Sequence, residues 1–143
     1  MSGIDDLHVG DAAEMAKTVT ESDITLFAGV TGDFNPVHVD AVAAERSMFG
    51  GRIAHGLLSA GFISAVIAMR LPGPGSIYLS QTLRFTKPVR IGDTVTARVE
   101  VLEVIAAKRR VRLATTCRNQ RGESVVEGEA VVMVESREAG ADG

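Results

Sequence analysis

The sequence predicts an α+β domain in which one long apolar helix lies against a curved antiparallel sheet. Two observations predict it. From Ala54 to Arg70 the chain is apolar on nearly every helical face, so other structure has to cover it all round. After Leu71-Pro72-Gly73-Pro74-Gly75, each segment alternates apolar and polar residues at the period of a half-buried strand. Helices first and consecutive strands afterwards give this layout rather than an alternating βαβ fold. The Pro/Gly cluster is too short for a linker, so residues 1–143 read as one domain, with its core at about 9–135. The tail from Ser136 is expected to fray.

The elements follow in order. Thr20 places a capping hydroxyl three residues before Asp23, and Ile24, Phe27 and Ala28 recur at helical spacing, so a short amphipathic helix runs to about Val30. Gly32 supplies a left-handed stop, and Asp33-Phe34-Asn35-Pro36 opens a loop through which Pro36 forbids a regular helix. Asp40 caps a second short helix, Ala41 to Ser47, before Gly50-Gly51 lets the chain reverse. His55-Gly56 then opens the apolar helix. Beyond the break, Ile77, Leu79, Leu83 and Phe85 form the inward face of one strand. Val95, Ala97, Val99 and Val101 do so for the next, and Val111 and Leu113 for a third. Asn119-Gln120-Arg121-Gly122 is a turn, and Val126, Gly128, Ala130 and Val132 mark the last strand. A helix wrapped by a sheet in this way is a hot dog.

Composition narrows the function. With 15 Lys+Arg against 18 Asp+Glu, one Tyr and no Trp, the chain lacks the basic field and stacking platforms of nucleic-acid binding. Its longest mostly apolar uncharged run, Gly56 to Met69, falls short of the roughly 20 residues a bilayer demands, so no membrane span is expected. The single Cys117 excludes an internal disulfide and fits a small core residue. Three His and one Cys are a poor basis for structural zinc, and no metal is expected. The first residues, Met1 to Asp6, lack the basic and apolar regions of a secretory signal, which points to the cytoplasm.

Two features carry possible chemistry. Thr31 to Asp40 holds a carboxylate, Asp33, and an imidazole, His38, on a segment pinned by Pro36. Buried together, the two can work as an acid and base pair; Asp and Asn beside Gly and Pro are equally ordinary turn chemistry. At His55-Gly56, the free N–H groups and positive end of a helix gather. Glycine there lets a carbonyl oxygen approach the backbone as in an oxyanion hole, or simply permits tight packing. Ser59 and Ser64 are the polar marks on the helix, and such serines usually bond a carbonyl one turn back. Lys108 to Arg112 is most simply a solvated edge, and His8 is assigned nothing.

Phe27-Ala28 leading into Gly32-Asp33-Phe34-Asn35-Pro36-Val37-His38-Val39-Asp40, then Phe49 to Leu58, closely resembles the MaoC-like (R)-specific enoyl-CoA hydratases. Gly75 to Leu79 and Pro88 to Asp93 continue a likeness spanning roughly Val9 to Val134. The resemblance implies a hot-dog fold, commonly paired as a homodimer or higher homo-oligomer with CoA entering at the interface. It implies that Asp33 and His38 are the catalytic pair, that the Gly56 N–H holds the thioester oxygen, and that Ser64 lines the acyl pocket. Asn35 and His55 take supporting roles. It implies a hydro-lyase that adds water to a trans-2-enoyl-CoA, with the acyl-CoA as partner and no cofactor beyond that carrier. A 3-hydroxyacyl-ACP dehydratase and a non-catalytic acyl-thioester-binding module are the alternatives. Arg46, Arg52, Lys87 and Arg90 are candidates for the CoA phosphates. Polyester precursor supply and fatty-acid breakdown both use such a product.

Overall fold

The computed structural model describes residues 3–135, so the tail expected to fray from Ser136 lies outside the described residues. Helix α1, Glu21–Thr31, begins where the capping signal places it. The Asp23 N–H donates to Thr20 Oγ1 at 3.2 Å, and Asp23 Oδ2 accepts the Thr20 N–H at 2.9 Å. Burial acts to raise the Asp23 pKa, but the Lys17 ammonium and the Thr20 donors outweigh it and hold the carboxyl below its ordinary value. Gly32 ends the helix at φ 82°, in the left-handed region.

Pro36 does not prevent a helix. It occupies the first position of a single turn, α2, Pro36–Val39, where its missing N–H would have had no intrahelical partner. The expectation of an unbroken loop is corrected on that ground. Helix α3, Ala41–Glu45, follows, with Asp40 Oδ1 accepting from the Val42 and Ala43 N–H groups at 3.0 and 3.1 Å.

The long helix α4, Gly56–Met69, buries Ile63, Val66 and Ile67 against the sheet. Each such side chain contributes about 1.5–3 kcal/mol. The cover is one-sided: Leu57 is 57% and Met69 66% exposed, so the chain alone does not enclose the helix as its composition demands.

The sheet is antiparallel and ordered β1-β4-β5-β6-β2, with β3 also on β6. Its strands are β1 Ala12–Thr18, β2 Ser76–Gln81, β3 Arg84–Phe85, β4 Thr94–Ile105, β5 Arg110–Arg118 and β6 Ser124–Val134. The predicted inward rows are buried on β4 (Val95, Ala97, Val99, Val101), on β5 (Val111, Leu113) and on β6 (Val126, Ala130, Val132). The strand expected from Ile77 to Phe85 is broken at Thr82-Leu83 into β2 and β3, both paired with β6. Gly128 on β6 makes the crossing possible, since a Cβ there would lie 1.8 Å from the Thr82 carbonyl oxygen. Ile77, Leu79 and Phe85 are 39%, 43% and 52% exposed, because this edge has no neighbouring layer in the single chain. Strand β1, paired with β4 from Ala12↔Glu100 to Thr18↔Thr94, was not foreseen. No helix among the described residues is long and apolar enough to cross a membrane.

Candidate active site

The site forms where three stretches of chain converge on the tip of α4. The Val37 carbonyl accepts the Ile53 N–H at 3.2 Å, the Val89 carbonyl accepts the Ala54 N–H at 2.7 Å, and Ile53 bridges Arg90. Residues 53 and 54 are thereby clamped between the α2 turn and the segment leading into β4, which fixes His55 and Gly56 at the helix start.

His38 sits on the α2 turn and is buried. Its Nδ1 lies 2.8 Å from the Ile53 carbonyl oxygen. A carbonyl can only accept, so Nδ1 carries the proton and a neutral ring leaves Nε2 as a bare acceptor. Arg52 braces the turn: its Nε donates to the His38 carbonyl at 2.7 Å while its Nη1 pairs with Glu21 at 2.7 Å. Asp33 stands opposite and exposed, its Oδ1 accepting the Asn35 N–H at 3.3 Å. Asn35 also caps α2 through Oδ1, which accepts from the Val37 N–H at 3.1 Å.

His55 is 2% exposed, with its ring stacked on His38 at a 3.9 Å centroid distance and tilted against Phe27 at 4.7 Å. Its Nε2 donates to the Asp33 carbonyl oxygen at 2.9 Å, and its Nδ1 is buried without a partner among the described residues. One carboxylate oxygen of Asp33 and one ring nitrogen each of His38 and His55 lie within 4.8 Å of one another. Each imidazole already commits a nitrogen to a backbone carbonyl. The Asp33 carboxylate and the remaining His38 nitrogen are thereby left as the two groups that can share a proton.

Asp33, His38 and Gly56 line one cavity of about 470 Å³, walled by Phe49, Ile53, Leu57, Phe85 and Val125. The helix tip faces it without a side-chain cap from His55, whose carbonyl accepts the Leu58 N–H at 3.0 Å and leaves the Gly56 N–H untaken by that residue. The Phe85 ring covers Gly56, and a Cβ there would meet two ring carbons at 2.7 Å. Phe85 and the Ile53 carbonyl are site features that residue spacing did not single out: Phe85 reads as a core position, and a backbone acceptor leaves no sequence mark.

Other predicted residues lie elsewhere. Ser64 lines a separate open groove of about 420 Å³ with Ala60, Gly61, Tyr78 and Gln81, eight residues along α4 from Gly56, or about 12 Å at the helical rise. Burial raises the Tyr78 pKa, and that hydroxyl donates to Gln81. Of the candidate phosphate contacts, Lys87 lines the cavity and pairs with Glu123, whose carboxyl it pushes, with Arg121 and Asn119, down to about 2. Arg90 donates to the Phe49 carbonyl at 2.6 Å, and Arg46 is exposed. Cys117 is fully buried, its thiol pushed up to about 12 by desolvation, which makes it inert rather than nucleophilic.

Comparison with known proteins gives the fold and the family. An (R)-specific enoyl-CoA hydratase of Rhodospirillum rubrum is 55% identical over 133 residues, 93% of this chain and 92% of that protein. A 3-hydroxybutyryl-CoA dehydratase of Methylorubrum extorquens is 52% identical, covering 94% and 85%. The unliganded R-hydratase PhaJ1 from Pseudomonas aeruginosa superposes with a TM-score of 0.90 at 52% identity, over 94% of this chain and 86% of that one. The sheet wrapped on α4 is thus the hot-dog fold of the R-hydratases. The family described as MaoC like domain matches residues 10–122, the span that holds the α2 turn, α4 and strands β1 to β5, and the chain belongs to that family.

Proposed function

We propose that this chain is an (R)-specific enoyl-CoA hydratase, a hydro-lyase that adds water across the double bond of a trans-2-enoyl-CoA. The observation that carries the reading is the placement of the Asp33 carboxylate and the His38 ring within 4.8 Å in one cavity at an uncapped helix tip. Such a gap is spanned by one water accepting and donating at about 2.7–3.0 Å on each side. As its O–H proton passes to the pair, the water oxygen bonds to C3. The pair returns a proton to C2 on the same face, and the charge that gathers on the thioester oxygen meets the Gly56 N–H. The water's proton passes between both side chains, so the pair, rather than either member, is the acid and base.

The two curated relatives above carry CoA in their names, which favours CoA over a protein carrier. Their high identity favours turnover over mere binding. No cofactor beyond the CoA carrier enters this chemistry. The single buried thiol suits a reducing compartment, and the cytoplasm is the proposed location.

The test follows loss of the conjugated enoyl absorbance of crotonyl-CoA and then determines the configuration of the 3-hydroxyacyl product. The (R) product is expected, and an (S) product sinks the assignment. Asp33→Asn and His38→Gln should each lower kcat by on the order of 10²–10⁴ with little change in KM. Near-normal turnover by both would return these residues to a structural role. Faster reaction of crotonyl-ACP than of crotonyl-CoA would move the chain to the dehydratase alternative.

A further inference from the structure

His55 sits at a helix N-cap, where Ser, Thr, Asp or Asn would accept a first-turn N–H. It caps nothing. Its ring turns away from the helix, and Nε2 donates to the Asp33 carbonyl oxygen at 2.9 Å, across 22 residues of chain. That bond requires the proton on Nε2, which leaves Nδ1 a bare lone pair, buried with no partner among the described residues. A phenylalanine would fill the same slot between Phe27 and His38 without burying an unpaired nitrogen. A residue that breaks the local capping preference and also leaves a polar atom unsatisfied points to a function served elsewhere.

The geometry assigns His55 as the positioning residue that holds the Asp33 carboxylate in register with the oxyanion amide. The assignment rests on the hydratase reading above. One hydrogen bond joins the main chain of the proton-transfer loop to the residue immediately before Gly56, and the same ring packs face to face on His38. Asp33 and His38 are carried by one stretch of chain and the Gly56 N–H by another, and His55 touches both members of the first while adjoining the second. By leaving the side-chain cap vacant it also leaves the Gly56 N–H free for substrate. His55 itself neither gives nor takes a proton in the reaction: its one N–H is held by a carbonyl, and its lone pair is buried.

Three substitutions separate this role from packing. Gln carries an amide N–H at the reach of Nε2, Asn carries one only at the reach of Nδ1, and Phe keeps the ring and loses the donor. His55→Gln should retain most of kcat, whereas His55→Asn and His55→Phe should lose about 100-fold in kcat, the scale of a misplaced catalytic group. KM, and the affinity for the unreactive butanoyl-CoA, should stay as in the native enzyme. Equal kcat in all three variants, equal loss in Gln and Asn, or a loss that appears in KM and butanoyl-CoA affinity would overturn the assignment. Should the Asn and Phe variants fail to fold, ¹⁵N shifts of the His55 ring in the native protein at pH 7 decide it. A protonated Nε2 with a bare Nδ1 is expected, and the opposite tautomer or an imidazolium refutes the tether. Absence of crotonyl-CoA hydration by the native enzyme would instead remove the proposed function, with the nitrogen shifts still reporting on the tether.

Discussion

A methyl group placed on Gly56 would lie 2.7 Å from two carbons of the Phe85 ring, closer than any real Cβ contact. The ring is half exposed and can swing aside, and alanine is at least as good a helix former as glycine, so Gly56→Ala should fold with little change in Tm. The displaced ring then intrudes on the cavity it walls. The thioester is kept from the N–H that would hold its oxygen, and kcat/KM should fall by on the order of 10²–10³, the size of losing one oxyanion donor. Adding Phe85→Ala removes the collision, so the double variant should recover part of that loss; strictly additive losses in the two single variants would exclude it. Asp33 and His38 were legible as a pair because their chemistry is written in residue type and in a segment pinned by Pro36. The reasons they meet are the Ile53 carbonyl, the Asp33 carbonyl and the clamp on residues 53 and 54, all backbone groups that no side-chain pattern encodes.

Elements whose packing repeats their sequence period were readable: α1 with its capping box, α4, and strands β4, β5 and β6. Strand β1 was not, because Ala12-Ala13-Glu14-Met15-Ala16-Lys17-Thr18 has helix-forming composition and only the free edge of β4 makes it a strand. The exposure of β2 and β3 departs from their alternation for a related reason: the apolar row is present, but no layer among the described residues covers it. The turn before β4 shows how an element is held electrostatically. Burial acts to raise the Asp93 pKa, yet the Gln120 amide, the Arg90 N–H, and the charges of Arg121 and Arg90 outweigh it and keep the carboxyl below its ordinary value of 3.8. A folded-state pKa below the unfolded one contributes stability above the unfolded value, and that stability is lost as pH falls through the folded one. Tm should therefore decline as pH drops below about 4. Asp93→Asn should lower Tm at neutral pH by roughly 3–7 °C, for about 1–2 kcal/mol, and flatten the acid limb. An unchanged acid limb in differential scanning calorimetry would show that Asp93 is not its source. Since this turn carries Val89 and Arg90 to residues 53 and 54, some loss of activity should accompany the loss of stability.

At the scale of the molecule, the unfinished business of the fold lies on one side. Strand β2 ends the sheet, and its Ser76-Ile77-Tyr78-Leu79-Ser80-Gln81 sequence has neither charge nor proline, the devices that normally keep an exposed edge from pairing. Ile77, Tyr78 and Leu79 are exposed on it, and the uncovered face of α4, with Leu57 and Met69, is apolar too. A second copy of the chain would answer both needs at once: with two β2 edges paired antiparallel, the two sheets would run on into one and cover apolar side chains left bare among the described residues. The native protein should therefore have a solution mass of twice 15.1 kDa or a higher even multiple by light scattering. Leu79→Lys puts a charge on the pairing edge and should shift the mass toward 15.1 kDa. It should also lower kcat/KM for crotonyl-CoA, because the open groove holding Ser64, Tyr78 and Gln81 borders that edge and lies on the same helix as the catalytic cavity. A monomeric native protein would remove the paired-sheet arrangement. A monomeric Leu79→Lys variant with undiminished turnover would instead show that one chain builds the whole site by itself.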